Sequence, residues 1–285
     1  MFLIEDTRRT TRMASDLSQL KIGFIGAGNM SYGILKGILK SGDISAANVT
    51  VSAPSINNFP RFQEMGVHVM HSNVAAVSGA QLVFLAVKPH FIRTVVNEVL
   101  PHLTERHTIV SVAAGVTLET LEQLLPAGVE TVRLMPNLPC VLQEGALLFA
   151  RGSCATPETA SLLKHLLSAC GSVEEGPESW IDIHTGLSGS GVAFVYLFAE
   201  AMAEGAVKMG MPSALAQRIA AQTMLGAGRM LRDSGKPAAV LRGEVCTPGG
   251  TTIYGLHALE KGGVRSAAMS AVEAATERAR ELGRK

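Results

Sequence analysis

Aromatic side chains are scarce in this sequence: one Trp, three Tyr and nine Phe, 5% of 285 residues. The core must therefore come from aliphatic residues. Hydrophobic residues at 47% and 29 glycines supply enough for helices and strands to pack closely. An excess of one charge is also missing. Lys and Arg number 25 against 24 Asp and Glu, a formal net charge of +1, so no field draws a nucleic acid or a membrane surface. Cys140, Cys154, Cys170 and Cys246 form no C-x-x-C pair and have no His at ligand spacing. No metal site is expected, and the four are read as reduced thiols of a reducing compartment. The apolar run 192–199 stops at Glu200, short of the roughly 18 residues a membrane span needs. No membrane partner is expected.

Residues 1–19 contain no apolar signal core. Arg8, Arg9 and Arg12 hint at an organelle transit peptide, but Glu5, Asp6 and Asp16 argue against one. The segment reads as a loose leader and the chain as cytoplasmic, with a mitochondrial address the alternative. Beyond it, short β-rich runs alternate with helical stretches. Strands are expected at 21–25, 49–52, 67–70, 82–86, 108–112, 131–134 and 146–150, with helices such as 30–40 and 91–100 between them. This alternation predicts βαβ units and a mostly parallel sheet. The pattern changes near residue 153, after which helices at 190–209, 212–233, 251–260 and 264–282 dominate, with one short strand near 172–174. The expected division is a nucleotide domain at 20–152 and a helical domain at 153–285.

The first strand runs into Gly26-Ala27-Gly28-Asn29-Met30-Ser31 and then a helix. Gly26 suits the tight turn. Gly28 lets the backbone approach a pyrophosphate, which the helix N-terminus then holds through free N–H groups. An NAD site usually carries an acid at the end of the second strand to hold the ribose 2′-OH. Here the strand ends Val51-Ser52-Ala53-Pro54-Ser55-Ile56-Asn57, with no carboxylate. Hydroxyls such as Ser52 tolerate a 2′-phosphate, so NADPH is favoured and NADH is the second option. Arg61 reads as a solvated side chain, with contact to that phosphate the alternative. Ala86-Val87-Lys88 and Ala113-Ala114-Gly115 end the next strands at the edge where open α/β sheets bind ligands. In the helical half, Gly186-Leu187-Ser188-Gly189-Ser190-Gly191 and Thr247-Pro248-Gly249-Gly250-Thr251-Thr252 each precede a helix. Paired hydroxyl-rich helix starts suit a small carboxylate.

Five segments occur in order: 23–30 (GFIGAGNM), 85–89 (LAVKP), 135–137 (MPN), 186–191 (GLSGSG) and 248–252 (PGGTT). Together they resemble the pyrroline-5-carboxylate reductase family over residues 21–282. The resemblance implies an α/β fold: a Rossmann domain with a doubly wound, mostly parallel sheet, followed by an all-α dimerisation domain. It implies an intertwined homodimer, able to build a larger ring such as a decamer, and pyrroline-5-carboxylate as substrate. Ile25, Gly26, Ala27, Gly28, Asn29, Met30, Ser52, Asn73, Ala86, Val87, Lys88, Ala113 and Ala114 would meet NADP. Glu244, where related sequences carry Asn, would lie near the nicotinamide. Ser188, Ser190, Thr247, Gly250, Thr251 and Thr252 would hold the substrate, with the Thr252 hydroxyl near the imine nitrogen as the catalytic group. Imine reduction needs no metal or nucleophile, and none is evident in the sequence. Two alternatives are a β-hydroxyacid dehydrogenase, with Lys208 or Lys236 as its acid–base lysine, and a non-catalytic NADP-binding sensor.

Overall fold

A computed structural model describes residues 17–283. The expected leader lies outside the described residues except at 17–19, and there Leu17 is buried in the main core rather than loose. By internal contacts the chain divides into one unit ending at Gly189 and regaining Ala275 onward, and a second unit, Ser190–Ala274. The change from alternating to helical sequence placed the division at 152/153. The sheet continues beyond that point, because its last strand comes after a further helix.

The first unit is built on eight strands: β1 Ile22–Ile25, β2 Val49–Ser52, β3 His68–Met70, β4 Leu82–Leu85, β5 Thr108–Ser111, β6 Glu130–Met135, β7 Gly145–Arg151 and β8 Gly171–Glu175. Their order is β3-β2-β1-β4-β5-β6-β7-β8, parallel throughout except where β6 meets β7. β1 and β4 are buried at every residue, as expected for strands covered on both faces. Phe24 and Phe84 face each other in register and stack with centroids 4.6 Å apart. Separate cores form on the two faces. One gathers Phe24, Ile34, Phe84 and Phe149, and the other Ile25, Val83, Leu85 and Ile109.

Helices α1 Asn29–Ser41, α2 Phe59–Gln63, α3 Asn73–Ser78, α4 Ile92–Val99, α5 Leu118–Leu124, α6 Pro157–Leu167 and α7 Ser179–His184 complete the first unit's run. α1 lies tightly on its neighbours. A Cβ on Gly33 would sit 3.0 Å from the Val141 nitrogen, and one on Gly37 would sit 2.3 Å from Cys170 Sγ. α7 is held by a buried cation. Arg133 of β6, 2% exposed, bridges Glu178 at 3.1 Å and Asp182 at 2.5 Å. Glu178 also accepts from the Leu118 N–H at the start of α5.

The second unit contains α8 Gly191–Lys208, α9 Ser213–Asp233, α10 Ala238–Val245, α11 Thr251–Lys261 and most of α12 Val264–Gly283. Its internal core is slight: Ala203, Ala216 and Ala220, with Ala206 and Met211 against them. Large apolar side chains stand exposed instead, among them Leu197 (67%), Met209 (86%) and Tyr254 (74%). Helix also runs unbroken from Ser179 through a π-helical turn, Thr185–Gly189, to Lys208. By length and composition alone this 30-residue stretch is apolar enough to cross a membrane.

Candidate active site

Strand register builds the first part of the site. Ile25 pairs with both Ser52 and Leu85, and Leu85 pairs with Ser111. The carboxyl ends of β2, β1, β4 and β5 therefore lie in one row, and the chain order reverses between β1 and β4. That is the switch point where doubly wound sheets bind nucleotides.

Gly26 leaves β1 with φ +109, and its N–H donates to the Ser52 carbonyl at 2.8 Å. A Cβ there would lie 2.3 Å from the Ala86 carbonyl oxygen, so only glycine fits. Gly28 caps α1 in extended conformation, and a Cβ there would meet nothing within 4 Å. Open space thus stands above a helix start whose first turn has no acid and no side-chain cap. This cradle fits a diphosphate. Ser31, at the third position of the glycine motif, is fully buried and donates to the Gly26 carbonyl, bracing the turn.

The other expected cofactor residues take distinct places. Ile25, Ala27 and Ala113 are buried; Met30, Asn73, Ala86, Val87 and Ala114 are half-buried; Asn29 and Lys88 are exposed. Ser52 does not present its hydroxyl to a ligand. The residue is completely buried and donates to Asn73 Oδ1 at 2.8 Å and, at 3.3 Å, to the Phe24 carbonyl. It supports Asn73, whose amide also donates to Glu98. Arg61 departs from its expected solvated role as well, being half-buried and bonded to Ala27 and Asn29. Small residues after β5 serve packing in part: a Cβ on Gly115 (φ +78) would crowd Leu282 and Gly283 at the end of α12.

Ser188 sits in the π-helical turn, a form that is often functional. Asn137, buried beyond β6, donates to Ser188 Oγ at 2.9 Å and accepts from the Ala146 N–H at 2.9 Å. His184 donates through Nε2 to the Ala146 carbonyl at 3.2 Å. Burial draws its pKa down against carbonyl bonds to Ala146 and Met135, which favours a neutral ring. Asn137 belongs to the 135–137 motif, whose spacing alone does not show that it holds the serine turn.

In the second unit, α11 starts at Thr251 with Gly250 as its cap, and no side chain caps it. Gly249 has φ +69, and a Cβ on Gly250 would lie 2.3 Å from Thr247 Oγ1. The turn 247–250 therefore requires its glycines and leaves the first N–H groups of α11 free of side-chain partners. Thr247 and Thr251 are exposed, Thr252 half-buried. Ser190 caps α8 without a side-chain bond. Glu244 is exposed and pairs with Lys236 at 2.5 Å. Among the described residues no group of His, Cys, Asp or Glu could hold a metal ion.

Residues 21–115 match the model of the NADP oxidoreductase, coenzyme F420-dependent, family, and residues 178–282 match that of pyrroline-5-carboxylate reductase dimerisation. Pyrroline-5-carboxylate reductase 3 of Danio rerio is 64% identical over 275 residues, covering 96% of each chain. This chain belongs to the pyrroline-5-carboxylate reductase family. The corresponding Xenopus laevis protein is 58% identical, over 95% of this chain and 99% of that one. The solved pyrroline carboxylate reductase of Plasmodium falciparum, with NADP bound, superposes with a TM-score of 0.84 at 30% identity, over 93% of this chain and 99% of that one. The Coxiella burnetii reductase gives 0.86 at 34%, over 93% and 98%. The family assignment fits the nucleotide edge on the first unit's sheet and, taken by itself, the uncapped start of α11 in the second unit.

Proposed function

We propose that this chain reduces the C=N bond of 1-pyrroline-5-carboxylate to give L-proline, with NADPH preferred over NADH. The observation that carries it is the near-full-length likeness to reductases of that name, on a chain whose glycine cradle is intact. Bound nicotinamide supplies the hydride. The turn 26–30 holds the diphosphate through the N–H groups at the start of α1, and Asn73, Ala86, Val87, Lys88, Ala113 and Ala114 border it. The free N–H groups of α11, with Thr247 and Thr251, hold the substrate carboxylate. The Thr252 hydroxyl oxygen accepts a hydrogen bond from the protonated ring nitrogen and orients the imine carbon. A neutral Thr is a poor acid, so the proton on nitrogen is the substrate's own.

The acid-free end of β2 supports NADPH, since no carboxylate there repels a 2′-phosphate. The exposed apolar face of the second unit supports a homo-oligomer, because a face so poor in internal core gains most from a second copy. The test is direct: purified protein with pyrroline-5-carboxylate, following loss of NADPH and, separately, NADH absorbance. Substrate-dependent oxidation with NADPH faster is the expected result. Faster NADH use overturns the preference, and no oxidation by folded protein overturns the reductase assignment.

A further inference from the structure

The end of β2 raises a question of charge. Its hydroxyl, Ser52, is buried and already bonded within the protein. Residues 53–63 contain no carboxylate, and their one cation is Arg61 on α2. That side chain does not wave in solvent. Nη2 donates to the Ala27 carbonyl and Nη1 to Asn29 Oδ1, both at 2.9 Å. Asn58 donates to the same Ala27 carbonyl at 2.9 Å. The guanidinium lies 4.8 Å from the Tyr32 ring centre and 5.2 Å from that of Phe62. Its Nε is buried and has no partner.

The placement has two consequences. The fork is fixed against the glycine turn, so little rotamer freedom is left to lose when a ligand arrives. The charge is also uncompensated. Among the described residues no carboxylate pairs with Arg61, and the first turn of α1 beside it has no acid. The cation therefore adds to the positive end of the helix. A site with that much positive potential favours a ligand carrying more than a diphosphate.

We infer that Arg61 is the specificity-determining residue for the cofactor, receiving the 2′-phosphate of NADPH through the N–H groups its two protein bonds leave over. A guanidinium has five N–H donors, and the two bonds to Ala27 and Asn29 use one on each terminal nitrogen. This rests on the reading of the site as a nicotinamide nucleotide site, not on the identity of the reducible substrate.

The experiment is calorimetric binding of NADP+ and NAD+ to the full chain, without substrate, for wild type, R61A and R61K. Thermal unfolding of each variant checks the fold. Loss of a charge-assisted bond predicts that R61A weakens NADP+ by about 10- to 100-fold more than NAD+. R61K keeps the charge but not the fork and retains part of the discrimination. Equal weakening of both nucleotides by R61A would make Arg61 a brace of the turn only, and no change in either would leave it without a role; each overturns the inference. Failure of wild type to bind either nucleotide overturns the nucleotide site and the inference with it. Discrimination by Arg61 in a protein that does not reduce pyrroline-5-carboxylate would sustain the inference and sink the substrate assignment.

Discussion

Gly26 and Gly28 stand two residues apart, yet the structure gives them opposite failures. In Gly26→Ala, the new Cβ meets the Ala86 carbonyl oxygen at 2.3 Å, in a backbone at φ +109 that L side chains avoid. Strain of about 1–3 kcal/mol and overpacking of about 1–3 kcal/mol combine to an expected loss of about 2–6 kcal/mol. Relief would require β1 and β4 to part at the row that carries the nucleotide edge. In Gly28→Ala, the Cβ meets nothing within 4 Å and φ is an ordinary −83. Losing glycine at a helix cap costs some tenths of a kcal/mol, and the stiffer unfolded chain returns about 0.4–1 kcal/mol. Net stability should stay within about 1 kcal/mol of wild type. The methyl group nevertheless stands where a diphosphate must approach, so NADPH affinity should fall about tenfold or more. Urea unfolding and NADPH binding by fluorescence, on both variants, separate the cases. A Gly28→Ala protein that binds NADPH as wild type does would refute the assignment of this cradle to the diphosphate. A Gly26→Ala protein of unchanged stability would refute the steric reasoning.

Burial, and then the neighbouring Cys140, pushes the Cys170 thiol up to about 12, and burial raises Cys140 too. A thiol-reactive disulfide reagent should therefore modify exposed Cys154 first and reach Cys140 and Cys170 only after denaturation; four equal rates would contradict this. Burial would raise the Glu130 carboxyl, but hydrogen bonds from Thr159, Thr108 and Thr156 outweigh it and hold the group below its ordinary value. Its contribution is then present above the ordinary carboxylate range and lost as pH falls through the folded value. The stability gap between wild type and Glu130→Gln should accordingly close on acidification, and a gap independent of pH would exclude the linkage. Asp182→Ala leaves Arg133 buried with Glu178 alone and should cost about 2–4 kcal/mol in urea unfolding, less than a fully buried pair because Asp182 keeps some exposure. Light scattering should give at least twice the 30.0 kDa chain mass in detergent-free buffer, whereas a monomer, or protein that needs detergent, would contradict assembly through the apolar helical face.

Much of the first unit was legible because buried parallel strands write themselves as apolar runs. Val49–Ser52 matches its expected span, and the other strands differ by a residue or two at their ends. The glycine turn was legible for a related reason: each glycine answers a local constraint, one of φ and one of space. Side chains that act across long sequence separations were not. Arg61 looks like any surface arginine until α2 brings it to Ala27, 34 residues away. Arg133 interrupts an apolar strand, and only the arrival of α7, about 45 residues later, explains why a cation is tolerated there. Asn137 and Ser188 likewise meet across 51 residues.

The helices of the second half were legible in the sequence, but what covers their apolar faces was not, and the cause is physical. Hydropathy along a helix records how many apolar side chains must leave water; it does not record what covers them. The stretch Ser179–Lys208, which ends in α8, satisfies the length and composition of a membrane span, while the second unit buries little beyond Ala203, Ala216 and Ala220. A folded monomer with such a face would carry a large uncompensated apolar surface. Covering by an identical chain resolves this with no new sequence, and the match of residues 178–282 to a dimerisation family points the same way. The charges at Glu200, Glu204 and Lys208 then have a place, since a rim of a protein interface tolerates them where the centre of a bilayer would not. On the proposed homo-oligomer, the excess of exposed apolar residues in the second unit is half of a core that a second copy completes.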